Sequence, residues 1–149
     1  MPAKILSGKE IADAIKREVA EEVKALESSY GFRPCLAVAR VGENAASAVY
    51  VGSKVKTSEE LGLISEHHHL PAETSHDELL KLVGDLNNRR EVDGILVQLP
   101  LPHQIDERKI LEKIDAEKDV DGFNPLNVGR LAQGQKALAP CTPAGVIEI

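Results

Sequence analysis

DGILVQLP, residues 93–100, is the most apolar strand-like run in the chain and the one on which the fold reading turns. An apolar run this short, opened by an Asp-Gly turn and closed by Pro100, marks a strand buried inside a sheet. Working outward, CLAVARV (35–41) follows Pro34 and ends at Gly42 as a second buried strand, and LISEHHHL (63–70) alternates well enough for a third. Helical patterns separate them. Ser7 and Glu10 have capping-box spacing, and Ile11, Ile15, Val19, Val23 and Leu26 follow at helical intervals. A second helix spans about Ala45 to Leu61 with Gly62 as its stop, Ser75 and Glu78 cap a third, and DERKILEKI (106–114) forms a fourth. Strands alternating with helices of this length give an α/β fold: a mostly parallel sheet with helices on both faces, in three layers.

Composition bounds the function. The 149 residues make one ordinary domain with 42% hydrophobic and 28% charged residues. A net charge of −6 without long basic runs argues against nucleic acid and anionic membrane as partners. No apolar run is long enough to span a bilayer, and MPAKILSGKE lacks a signal-peptide core, so the chain reads as cytoplasmic. Cys35 and Cys141 are far apart without CxxC spacing and read as reduced thiols.

In parallel sheets ligands gather at the carboxyl ends of the strands. The end of GILVQLPLP is therefore a candidate site wall, and Gln98 is a polar side chain in an otherwise apolar run. A buried amide left without partners costs a few kcal/mol, so Gln98 either caps a loop or meets another polar group. Pro100 and Pro102 end the strand and start a rigid loop.

Tyr50 and Lys54, in YVGSKVK, lie four residues apart and share a helical face, as a solvated pair or as part of a pocket. The segment EKDVDGFNPLNVGRLAQG (117–134) has no clear period and reads as a long ordered loop, a class that is usually functional. Asp119 and Asp121 flank Val120 and point to opposite sides if extended, so one faces the interior. No third ligand follows, and His67, His68 and His69 alternate faces along a surface strand, so no metal site is expected. Neither GxGxxG nor GxxxxGK[ST] occurs, and VGEN (41–44) is a lone glycine turn. In CTPAGVIEI (141–149), Thr142 and Pro143 read as N-cap and first residue of a short helix with exposed aliphatics, as expected of a cut chain, of a fragment or of a helix leading into another domain.

Taken together, VGENAAS, YVGSKVK, DGILVQLPLP, EKDVDGFNPLNVGRL and PCTPAG resemble, in order and over nearly the whole chain, the amino-terminal half of the bifunctional methylenetetrahydrofolate dehydrogenase and methenyltetrahydrofolate cyclohydrolase family. The resemblance implies that residues 1–149 are a folate-binding catalytic domain that ends at the start of a helix leading to an NADP-binding Rossmann-like domain. It implies a tetrahydrofolate substrate, NADP as hydride acceptor, no metal, and a homodimer. It places Lys54, Gln98 and Tyr50 in the chemistry, and Tyr50, Leu99, Pro100 and Asp121 against the folate. Tyr50 lies on the aminobenzoate and Asp121 receives hydrogen bonds from the pterin. Ala45 stands where many relatives have proline, at the start of the second helix.

Physical chemistry fits these roles. An ionised aspartate only accepts hydrogen bonds and so matches adjacent N–H donors. A desolvated lysine held by the neutral amide of Gln98 exchanges protons near neutral pH. The readings to separate are a catalytic folate domain, a folate-binding module without turnover, and an unrelated α/β scaffold in which Lys54 and Asp121 are merely solvated.

Overall fold

The apolar runs become the strands β1 (Cys35–Val41), β2 (Ile64–Leu70) and β3 (Gly94–Val97). The computed structural model describes residues 7–149, so the absence of a signal-peptide core in the first residues lies partly outside the described ones. Among these residues the sheet has the order β2-β1-β3 with both pairs parallel. Parallel neighbours require long crossovers, supplied here by α2 (Ala45–Glu60) and α3 (His76–Asn88). Helix α1 (Gly8–Tyr30) precedes the sheet; α4 (Glu107–Lys113), α5 (Pro125–Ala132) and α6 (Cys141–Glu148) follow it.

The period of two along each strand assigns the faces. Ala37, Ala39 and Val41 of β1 and Ile95 and Val97 of β3 pack with Leu79, Val83 and Leu86 of α3 and Ile110 of α4. The alternate positions, Val38 and Leu96, pack on Val51 of α2, with Leu36, Val55 and Val120 around them. The expected three layers are present, and the α2 layer covers the face where the candidate site lies. The expected caps also form: the Ser7 hydroxyl accepts from the Glu10 amide, and Ser75 and Glu78 make both bonds of a capping box; Asn44, not singled out from the sequence, caps α2 by accepting from Ser47 N at 3.0 Å.

Four readings need correction. β3 stops at Val97, so Gln98 lies just beyond the ladder, where its side chain is free of strand packing. The presumed loop 117–134 contains α5, started by Asn124, whose side chain accepts from Leu126 N at 2.9 Å, and by Pro125 in the first turn. Thr142 is not an N-cap: α6 begins at Cys141 with Pro140 in the cap position and no side-chain cap bond. Finally, of the α1 stripe only Val23 is buried, and Ile15 is 44% exposed. Ile11 and Ile15 meet Val146 and Ile149 across an open groove of about 350 Å³ between α1 and α6, which leaves the stripe largely in water.

The histidines lie on the edge strand β2. His67 and His69 share a face with rings stacked 6.2 Å apart, while His68 Nε2 lies on the other face, 2.7 Å from Glu66. Among the described residues no group of three His, Cys, Asp or Glu side chains is placed to hold a metal ion. Arg40, the lateral neighbour of His69 in β1, is 7% exposed and has its Nη2 3.0 Å from His69 Nε2. Glu43 Oε1 lies 3.2 Å from the same ring nitrogen.

Partial desolvation of the ring, although His67 as a residue is exposed, then the charge of Arg40 and the two neighbouring imidazoles, hold the His67 ring below the ordinary histidine pKa. The unfolded chain therefore binds this proton more readily than the native one. The stabilising contribution is complete above about pH 6.5 and is lost as pH falls through the lower folded value. We expect the melting temperature to decline between about pH 6.5 and 5, above the range in which Glu66, Glu78 and Glu91, all held below the usual carboxylate value, begin to protonate. In His67→Gln the slope over that window should flatten, read by thermal denaturation at each pH.

Candidate active site

Three polar side chains converge because each sits next to a member of the α2-side cluster. Lys54 lies one turn beyond Val51 on α2, Gln98 lies two residues beyond Leu96, and Asp121 directly follows Val120. Lys54 Nζ donates to Gln98 Oε1 at 3.2 Å, and Gln98 Nε2 donates to the Leu99 carbonyl at 2.7 Å. Gln98 thus both caps its own loop and holds the amine, which joins the two roles open to it from sequence. Lys54 and Gln98 are half-buried.

Asp121 is the electrostatic member of the group. Burial pushes its carboxyl above the ordinary aspartate pKa, the Lys54 charge pulls it down, and Asp119 pushes it up again. Lys54 is bonded to the neutral amide of Gln98 and lies within electrostatic range of the Asp121 carboxylate. Tyr50, one turn before Lys54 on α2, is 64% exposed. Its ring is largely open to solvent on the helix face that carries Lys54.

The floor beyond Gln98 is fixed at several points. Leu99 packs against the α3-side core, and Pro100, joined to it through a cis peptide, is exposed. Leu101 N donates to Glu107 Oε1 at 2.8 Å, and Gln104 Nε2 donates to the carbonyls of Ala72 and Thr74 at 2.7 and 3.1 Å. The rigid loop expected after β3 is present.

The second wall depends on residues that sequence reading passed over. Asp119, 2% exposed, accepts from Asn124 N at 2.7 Å and from Asn127 Nδ2 at 3.1 Å through Oδ2. Asn127 also donates to the Ala116 carbonyl at 2.8 Å, and Asn124 to that of Ile114 at 2.8 Å. Asp119 is therefore the interior member of the pair and Asp121 the cleft member. The Asn-Pro pair at 124–125 was the available signal for this helix start.

Residues 6–121 match the tetrahydrofolate dehydrogenase/cyclohydrolase catalytic-domain family. This chain belongs to that family. It is 55% identical over 145 residues to Bifunctional protein FolD of Moorella thermoacetica, covering 97% of this chain and 51% of that protein. The crystal structure of the bifunctional FolD methylenetetrahydrofolate dehydrogenase/cyclohydrolase from Campylobacter jejuni matches with a TM-score of 0.92 at 48% identity, over 95% of this chain and 50% of that one. The Trypanosoma brucei enzyme, solved with NADP and an inhibitor, matches with a TM-score of 0.94 at 38% identity, over 99% of this chain and 51% of that one. The chain thus spans about half the length of the relatives it matches.

The residue that follows Asp121 is fixed by its backbone. Gly122 has φ of +67°, and a Cβ on it would lie 2.6 Å from the Leu138 carbonyl oxygen and 3.1 Å from Pro140 N. The backbone leading into α6 passes too close for any side chain. Gly122→Ala combines left-handed strain with a backbone clash, for an expected loss of about 2–4 kcal/mol. Chemical denaturation with an unchanged m-value would measure it.

Proposed function

We propose that this chain is the folate-binding catalytic part of a bifunctional one-carbon enzyme. That enzyme oxidises 5,10-methylenetetrahydrofolate to 5,10-methenyltetrahydrofolate with NADP and hydrolyses the product to 10-formyltetrahydrofolate. The observation carrying the proposal is the 3.2 Å bond from Lys54 to Gln98 at the carboxyl end of β3, with Asp121 near enough to feel the lysine charge. Tyr50 covers the aminobenzoate, Leu99 and Pro100 form the wall under the ring system, and Asp121 accepts from the pterin N–H groups.

In the hydrolytic step water attacks the electron-poor methenyl carbon, and Lys54, oriented by Gln98, moves the proton as the ring opens. NADP, when bound, accepts the hydride in the oxidation. The described residues do not fit it as a dinucleotide site. The Gly42 turn before α2 has only ordinary contacts for an added Cβ, unlike a close backbone cradle for phosphate, and Glu43 puts an exposed carboxylate at its mouth. We assign NADP mainly to the part of the relatives' length that lies outside this chain. The homodimer is a further reading from the family resemblance and the cytoplasmic setting one from the sequence pattern, and the net charge of −6 supports a partner other than nucleic acid or anionic membrane.

A second reading is folate binding without turnover, favoured by the lack of a fitting dinucleotide cradle. The test is to mix the 149-residue chain with 5,10-methenyltetrahydrofolate and follow the loss of its absorbance, beside a titration with 5-formyltetrahydrofolate. Hydrolysis above the buffer rate supports the first reading. Binding without hydrolysis selects the second, and neither would overturn both.

A further inference from the structure

Asp119 takes no part in the cleft as described, yet it is the most buried acid there. Its Oδ2 holds both the Asn124 amide, which closes the turn after Asp121, and the Asn127 side chain, which anchors α5. On the other side the same residue pairs with Ile95 of β3, and Ile95 N donates to the Lys118 carbonyl at 2.7 Å. Between them Val120 is wedged over Gly94, where a Cβ would come within 2.6 Å of Val120 Cγ1. The backbone of Asp121 is thus gripped from the sheet, from α5 and from beneath, and only its side chain is left to choose a direction.

We propose that Asp119 is a positioning residue that sets Asp121 for folate recognition and acts on the ligand only through that second carboxylate. The proposal rests on the folate reading of the cleft. A residue that merely stabilised the loop would affect every contact made by it. One that acts through Asp121 becomes silent once Asp121 is neutral. The Asp119 charge gives a second link to Asp121, separate from the hydrogen bonds: it is among the influences that raise the Asp121 carboxyl, and removing it lets Asp121 ionise at lower pH.

Asp119→Ala removes the acceptor that Asn124 N and Asn127 Nδ2 share, whereas Asp119→Asn, whose amide oxygen can still accept from both, removes only the charge. Binding of 5-formyltetrahydrofolate is measured in the 149-residue chain, in Asp119→Ala, in Asp121→Asn and in the double variant. We expect Asp119→Ala to weaken binding about fivefold or more alone and by less than about twofold in the Asp121→Asn background. In parallel, carboxyl-carbon NMR should place the Asp121 titration at lower pH in Asp119→Asn, a readout independent of folate. If Asp119→Ala does not fold, Asn127→Ala takes its place in the binding cycle.

Additive losses in the cycle, or an Asp121 titration unmoved by the substitution, overturn the positioning role while leaving the folate reading in place. If the parent chain does not bind the probe but the Asp121 titration moves, the folate reading falls, and with it the link to ligand, while the control of Asp121 by Asp119 stands.

Discussion

Lys54→Met is expected to remove hydrolysis of 5,10-methenyltetrahydrofolate, a fall of about 10²–10⁴-fold in kcat, while 5-formyltetrahydrofolate affinity changes by less than a few-fold. The reasoning is geometric. Methionine keeps the length and apolar stem of the lysine, so packing along α2 beside Val51 and Val55 survives. The Nζ that donates to Gln98 at 3.2 Å is lost, and with it a titratable nitrogen in contact with Gln98 that could pass a proton between solvent and a ligand bound there. An affinity loss as large as the rate loss would assign Lys54 to binding. Equal rates in both proteins would leave it without a role in proton transfer. Gln98→Glu extends the test, because a carboxylate would hold the ammonium more tightly and should lower the rate in the same direction.

Asp121→Asn should weaken reduced-folate binding by about 10–100-fold, the worth of charge-assisted hydrogen bonds exchanged for neutral and partly mismatched ones. The same change should make the protein more stable at neutral pH. Burial sets the folded carboxyl of Asp121 above its unfolded value near 3.9, so the native state holds that proton more tightly. Its contribution favours the fold only below the unfolded pKa and is lost as pH rises through the folded one. At pH 7 the ionised group is therefore a net cost that asparagine does not carry. Thermal denaturation should give a higher melting temperature for the variant at pH 7–8, and the difference should vanish as pH falls below about 4. A variant that binds worse and melts higher is the signature of a group retained for recognition at the expense of stability.

Much of this arrangement was legible from residues alone, for identifiable reasons. The α/β alternation follows from periodicity and caps, and the caps at Ser7 and Ser75 depend on local chemistry that survives any tertiary context. Lys54 and Gln98 could be linked because each carries a motif of the family, and their meeting follows from Val51 and Leu96 sharing a face of the sheet. Helix α5 escaped because its eight residues include a proline, a glycine and an asparagine, and it is held by Asn127 packing against Asp119 instead of by an apolar stripe. The exposure of α1 escaped for the opposite reason: its period is plain, but a pattern reports which face seeks burial and says nothing of what is there to cover it.

The pairing of Ile95 with Asp119 has one more consequence. On the side of β3 away from β1, the ladder is completed by the recognition loop in place of a fourth strand. Fraying of that margin and displacement of Asp121, the proposed pterin acceptor, are then a single opening event, and a ligand that clamps Asp121 also seals the border of the sheet. The Ile95 amide, buried against the Lys118 carbonyl, should exchange its hydrogen more slowly when the cleft is filled, so one backbone proton far from solvent would register occupancy of the site.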